Sequence, residues 1–188
     1  MLSLETKPND IDNLIIRCQN GSRGAQFEIY NRFYKAMYNT AYRIVKDEHW
    51  AEDIMQESFL SAFLNMDAYK KEVSFGAWLK KIVVNKSIDN YKKRHKMATE
   101  ALHPVLNKVE DIPDDNTQMD YSSLKAQQVM KTIQSLQDNY RIALTLFLIE
   151  GYDQEEISQI MGITEMNCRT MISRAKDKLR IKLNEAVR

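Results

Sequence analysis

Residues 154–173 read QEEISQIMGITEMNCRTMIS. Ile157, Met161, Ile163, Cys168 and Met171 or Ile172 are its apolar positions, Ser158 is small, Gly162 follows four residues later, and Thr164 stands where it caps the next helix. This is the pattern of a helix-turn-helix. The small residue lets two helices approach closely. Glycine supplies a positive φ at the turn, where a side chain is strained. The apolar positions then hold the second helix on the first. Its outward residues, Glu165, Asn167, Arg169, Thr170, Ser173, Arg174 and Lys176, with the cap Thr164 beside them, face a major groove or meet phosphates. The plain alternative is a helical hairpin whose charges face water; the spacing together with the basic second helix favours DNA.

Working outward, apolar periodicity predicts helices over 124–136, 139–149, 154–161 and 165–183. Upstream, from 98 to 121, periodicity fades. Pro104, Pro113 and the run EDIPDDNTQMD mark an acidic, extended linker. Net charge is only +1, but its distribution is uneven. Residues 70–96 carry nine Lys/Arg and two acids, residues 98–120 six acids and one lysine, and residues 164–188 seven Lys/Arg and three acids. Two basic blocks around an acidic connector suggest two surfaces for a polyanion.

The N-terminal half also reads as helical. Phe27, Tyr30, Tyr34, Met37, Ala41 and Ile44 recur in steps of three and four, with Ser22 as N-cap. A helix from about Asp47 to about Asn65 has an inner stripe of Ala51, Ile54, Met55, Phe59 and Ala62. Its opposite face carries Asp53, Gln56, Glu57, Leu60 and Leu64. Leucines among carboxylates on an outer face mean either a partner surface or packing on another helix of the same domain. Residues 65–73 read as a loop. Ser74 then caps a helix whose buried face is Phe75, Trp78, Leu79 and Ile82. That helix carries Lys80, Lys81, Lys86, Lys92, Lys93, Arg94 and Lys96, interleaved with Asn85, Asn90 and Tyr91. Such a mixture follows a phosphate backbone and meets exposed bases, or it is a solvated helix end with cations at the negative pole. A short helix over 11–18 precedes these. The fold class is therefore all-α: two small helical domains joined by an acidic flexible linker.

Composition excludes other classes. With 188 residues, 44% hydrophobic and 28% charged, the chain is an ordinary globular protein. No apolar run approaches the roughly 20 residues that span a bilayer, and MLSLETKPNDIDN is not a secretory signal. The two cysteines, Cys18 and Cys168, suit a reducing cytosol and read as core residues. His49, His95 and His103 show no metal-ligand spacing with them. No P-loop or nucleophile-elbow motif occurs, and Glu52, Asp53 and Glu57 have no partner base. No catalysis, no cofactor, no metal and no small-molecule substrate are expected.

With the blocks placed, the chain resembles bacterial RNA polymerase sigma factors of the extracytoplasmic-function class in the sigma-70 family, over about residues 10–183. DEHWAEDIMQESFLSAF (47–63) is similar to the family's D-x-x-x-A-E-D-x-x-Q-E-x-F-x-x-A-[WF] helix. SFGAWLKKIVVNKSIDNYKKR (74–94) is similar to S-F-x-x-W-L-x-x-I-A-x-N-x-x-x-D-x-x-R-[RK]. Residues 136–179 resemble the promoter-reading helix-turn-helix domain, with its S-R-A-[RK]-x-x-L ending. Two departures stand out: residues 166–171 are Met-Asn-Cys-Arg-Thr-Met where the family commonly has Gly-Thr-Val-Lys-Ser-Arg, and Val84 stands where it often has arginine.

The resemblance implies a cytoplasmic transcription initiation factor. Residues 1–97 would be sigma region 2, 98–121 the linker and 122–188 sigma region 4. Its partners would be core RNA polymerase, through the β′ clamp helices and the β flap, promoter DNA, and an anti-sigma factor that supplies any membrane link indirectly. Asp53, Gln56, Glu57 and Leu60 would bind polymerase. The 65–73 loop, with Asn65, Asp67 and Tyr69, would hold a base flipped from the −10 element, offsetting an unstacking cost of a few kcal/mol. Lys80, Asn85, Lys86, Tyr91, Lys92, Lys93 and Arg94 would meet the −10 duplex and melted strand. Thr164, Asn167, Arg169, Thr170, Ser173, Arg174 and Lys176 would read the −35 element. Two other readings compete. A sigma-like decoy for an anti-sigma factor has no need of DNA-facing cations. A stand-alone helix-turn-helix regulator leaves the 47–63 helix unexplained.

Overall fold

The structure is a computed structural model that describes residues 8–100 and 121–185. Every regular element among the described residues is helical. The chain divides into two compact units, Met1–Tyr91 and Lys92–Arg188. Residues 101–120, which hold most of the expected linker with His103, Pro104 and Pro113, lie outside the described residues, as do residues 1–7.

The first unit contains α1 (Pro8–Gln19), α2 (Arg23–Val45), α3 (Glu48–Leu64), a 3₁₀ turn (Met66–Ala68) and most of α4 (Phe75–Glu100). Ser22 caps α2, its Oγ accepting from Ala25 N at 3.4 Å. Asp47 caps α3, its carboxylate accepting from Trp50 N at 3.0 Å. Between them Lys46 closes α2 in the left-handed conformation, φ 54°, and donates to Tyr42 O. Two residues thus reverse the chain, and α3 packs back on α2. The core runs through Leu14 and Ile15 of α1, Ala25, Ile29, Met37, Ala41 and Ile44 of α2, Ala51, Ile54, Met55, Phe59 and Ala62 of α3, and Phe75, Leu79, Val83, Val84 and Ile88 of α4. Each large apolar side chain buried this way contributes about 1.5–3 kcal/mol.

The expected α3 stripe is buried residue for residue. The α2 stripe needs correction: Phe27 is 66% exposed, and Ala25 and Ile29 take its place inside. Two faces of α2 carry apolar residues and share Met37, Ala41 and Ile44. The smaller Ala25 faces inward, while the aromatic face lies along the rim. There Tyr30 and Tyr34 stack at 5.7 Å and Tyr30 leans on Phe59 at 4.9 Å. On α4, Phe75 and Leu79 are buried as expected, Trp78 and Ile82 are half-buried, and Val83, Val84 and Ile88 complete the inner face. Helix α4 also runs to Glu100, three residues into the stretch assigned to the linker. No proline stops it before Pro104.

The second unit contains α5 (Tyr121–Gln134), α6 (Asp138–Leu144), which continues as a π-helical stretch over Thr145–Glu150, α7 (Gln154–Met161) and α8 (Glu165–Glu185). Ile133, Leu136, Leu144, Ala175 and Leu179 form one core cluster, with Val129, Tyr140, Ile149 and Leu183 packed on it. Arg141, 1% exposed, donates from its guanidinium to Asp138 at 2.9 Å across one turn of α6. Gly151, φ 82°, ends the π stretch by donating to Leu146 O.

Candidate nucleic-acid interface

The α7–α8 pair is built as the sequence pattern demands. Asp153 and Glu156 form a reciprocal capping box, Glu156 N donating to Asp153 at 2.8 Å and Asp153 N to Glu156 at 3.0 Å. Gly162, φ 68°, donates to Gln159 O while Ile163 N donates to Ser158 O, the paired bonds of a Schellman end. Thr164 Oγ1 accepts from Asn167 N at 3.3 Å and starts α8. Ile157, Cys168, Ile172, Ala175 and Leu179 face inward. Asn167, Arg169, Thr170, Ser173 and Arg174 are exposed on the opposite side of α8. Arg169 Nε donates to Gln154 Oε1 at 3.3 Å, and the Thr170 hydroxyl donates to Met166 O at 2.9 Å. The Thr170 oxygen keeps its capacity to accept. Lys176 differs from the rest: it is half-buried, with its ammonium 4.2 Å from the centre of the Phe147 ring. That cation–π contact ties α8 to the π-helical stretch.

The loop between α3 and α4 is short of glycine but highly cross-tied. Asn65 ends α3 with its side-chain amide donating to Ser61 O at 2.9 Å. Met66 is buried, Asp67 is exposed, and Tyr69 is half-buried. The Tyr69 hydroxyl donates to Val73 O at 2.8 Å. Its ring meets Phe75 edge-on and Trp78 at a tilt, both at 5.4 Å. Burial and then the Asp12 carboxylate push its phenol up, against a smaller downward pull from Lys71. Ser74 caps α4 by accepting from Ala77 N at 3.3 Å. A Cβ on Gly76 would meet the Phe33 ring at 3.0 Å, so a side chain there would need that ring to give by a few tenths of an ångström where the first turn of α4 sits against α2.

Along α4, Lys81, Asn85, Asp89, Lys92 and Lys96 follow one another in steps of three and four, and all are exposed. Lys93 is exposed beside them, while Lys80, Lys86, Tyr91 and Arg94 are half-buried at the flanks. Of the cations, Lys81, Lys92 and Lys96 share that stripe with Asn85 and the acidic Asp89, while helical spacing places Lys80, Lys86, Lys93 and Arg94 around the rest of the helix. Lys81, which carries no expected role of its own beyond the basic block, lies on that stripe.

The outer face of α3 presents Asp53, Gln56, Glu57, Leu60 and Leu64, all exposed. Leu60 is 62% and Leu64 84% exposed, so no described helix covers them. Gln56 donates to Glu52 at 3.3 Å, and Glu57 pairs with Lys86 at 3.6 Å. That last contact joins the carboxylate face of α3 to the cationic α4, a link that local spacing does not reveal.

No group of three or more His, Cys, Asp or Glu among the described residues is placed to hold a metal. Cys18 and Cys168 are both buried, and burial pushes both thiols up, which keeps them protonated and unreactive near neutral pH. No described helix is long and apolar enough to cross a membrane.

Comparisons with known proteins converge on one family. Residues 29–97 match the model for Sigma-70 region 2, and residues 126–179 match that for Sigma-70, region 4. The chain is 29% identical to the ECF RNA polymerase sigma factor SigM of Bacillus subtilis over 161 residues, covering 85% of this chain and 96% of that protein. It is 28% identical to SigW of the same organism, covering 93% and 97%. Among solved structures, it superposes on the sigma factor RpoE of Bartonella quintana, crystallised with the anti-sigma factor NepR. The TM-score is 0.60 at 21% identity, covering 84% of this chain and 95% of that one.

Proposed function

Because this chain belongs to the extracytoplasmic-function class of the sigma-70 family, we propose that it acts as a transcription initiation factor through three separate surfaces. The outer face of α3, with Asp53, Gln56, Glu57 and Leu60, binds core polymerase. The loop with Asn65, Asp67 and Tyr69, and the basic helix α4 with Lys80, Asn85, Lys86, Tyr91, Lys92, Lys93 and Arg94, engage the −10 element. The exposed side of α8 reads the −35 element. Domain boundaries follow: residues 1–97 serve polymerase binding and −10 recognition, 98–121 connect, and 122–188 serve the −35 element. The chain works in the cytoplasm, catalyses no reaction itself and takes no small-molecule substrate. An anti-sigma factor holds it inactive, as the complex of the Bartonella sigma factor suggests by analogy.

The observation that carries this reading is the division of labour on α3. One side fills the core completely, and the other exposes two leucines beside three polar residues. A regulator that needs only duplex DNA has no use for such a face. A decoy would need no helix as basic as α4. Gel filtration with bacterial core polymerase tests the reading. Co-elution at nanomolar to micromolar concentrations, with the complex and not the chain alone selecting promoter fragments, is expected. Tight binding to duplex DNA without polymerase, and no co-elution, would replace the proposal with the stand-alone regulator.

A further inference from the structure

We propose that Asp12 of α1 and Lys71 act as a positioning pair that, with the Tyr69 hydroxyl, sets the 65–73 loop in its DNA-holding conformation before DNA arrives. The proposal rests on the reading of that loop as the pocket for a displaced −10 base.

Five observations carry it. Lys71 has φ 61°, left-handed backbone that a lysine rarely adopts. The other described non-glycine with positive φ, Lys46, is explained as the end of α2; Lys71 ends no helix. Its ammonium instead reaches Asp12 at 3.0 Å. The Tyr69 hydroxyl closes the same stretch from the other side through Val73 O at 2.8 Å. Helix α1 also packs on the 3₁₀ turn that opens the loop, where Met66 is 3% exposed. Finally α1 is itself anchored, Asp10 pairing with Arg32 of α2 at 2.6 Å.

The loop is therefore tied at its start, middle and end, and its middle tie comes from a helix outside the residues that match the region 2 model. The physical benefit is pre-organisation. A base that leaves its stack gives up stacking energy, and a loop that had to order at the same moment would lose further affinity. A loop already fixed leaves the whole contact energy for discriminating the base. In this role Tyr69 holds the loop and does not offer its ring to the base: that ring is already packed on Phe75 and Trp78.

Charge reversal tests the pair. A promoter recovered by run-off transcription from genomic DNA would be compared with versions carrying single-base changes across the −10 element, using core polymerase with each full-length variant. The ratio of transcription from intact to altered elements is the readout. Asp12→Lys and Lys71→Asp are each expected to lower that ratio about three- to fivefold, the scale of one half-exposed ion pair. The double reversal should restore most of the ratio, and Tyr69→Phe should lower it with melting unchanged. Unchanged ratios in the single reversals, or no recovery in the double, would overturn the proposal. If a reversal unfolds the chain, Asp12→Asn removes the charge alone and carries the test; a ratio equal to wild type would again overturn it. This variant also separates positioning from a direct phosphate contact, since releasing Lys71 to bind phosphate would raise DNA affinity without loss of discrimination. Asn65→Ala and Asp67→Ala report on the underlying reading. A lower ratio there with none in the Asp12 and Lys71 variants would refute the positioning pair alone. No effect in any of them would refute the loop as a base pocket, and the pair with it.

Discussion

Leu60→Ala on α3 separates folding from partner binding more cleanly than any other single change. Leu60 exposes 62% of its surface in the free chain. Truncating it removes little buried area, so the unfolding free energy should move by less than about 0.5 kcal/mol. If the face docks on polymerase, that exposed part becomes buried. Complete burial of a leucine is worth about 1.5–3 kcal/mol, so burying this fraction is worth about 1–2 kcal/mol. In dissociation constant that is about five- to thirtyfold. Leu64→Ala, starting from 84% exposure, should cost as much or more if it lies under the same footprint. Leu79→Ala is the opposite control: Leu79 is wholly buried, and its loss should cost about 2–5 kcal/mol of stability. Fluorescence anisotropy of labelled chain titrated with core polymerase gives the constants, and thermal melts give the stabilities. Unchanged affinity in both Leu60→Ala and Leu64→Ala, with melts also unchanged, would refute the argument that this face is a docking surface.

The other expectations are independent of that one. Arg169→Ala with Arg174→Ala should relax dependence on the −35 element. Removing a side chain that reads a base edge costs about 1–3 kcal/mol, and removing one that meets a phosphate lowers the salt slope by about one; equal transcription ratios with and without the element, before and after substitution, would count against it. Gly162→Ala forces a side chain into φ 68° and should destabilise the second unit by about 1–2 kcal/mol, visible as a lower melting temperature. Tyr152 gives a pH signature. Burial first, then Glu150 and Glu156, push its phenol up to about 12, whereas an unfolded chain releases that proton near 10. The folded state therefore holds the proton longer, so stability should fall as pH rises from about 10 towards 12. Tyr152→Phe should flatten that fall in equilibrium unfolding measured across the range.

What is legible in the sequence is local. Ser22, Asp47, Ser74 and Thr164 each cap the helix that follows, because a short polar side chain satisfies nearby amide donors without help from distant residues. Gly162 and the α3 stripe are local in the same sense. Phe27 misleads because a 3.6-residue period marks two adjacent apolar faces of α2 without ranking them; tertiary packing chooses the face with the small Ala25. The buried Arg141 escapes sequence reasoning because nothing in its neighbours announces burial; Asp138, one turn earlier, is the available signal. Val84, where the family often carries arginine, lies fully buried in the core of this chain. The Asp12–Lys71, Glu57–Lys86 and Lys176–Phe147 contacts join residues far apart in the chain. No spacing rule exposes such pairs. They change the site most, because they turn Lys86 and Lys176, both expected to face DNA, into groups with structural partners, and they tie down the loop that carries Tyr69.

Run-off transcription from genomic fragments by core polymerase, with and without this chain and with start sites mapped, tests the central claim most directly. Chain-dependent transcripts whose start sites share one pair of upstream elements, spaced as −10 and −35, are predicted. Core polymerase that yields the same transcripts with and without the chain, while the chain alone binds duplex DNA tightly, would contradict the account.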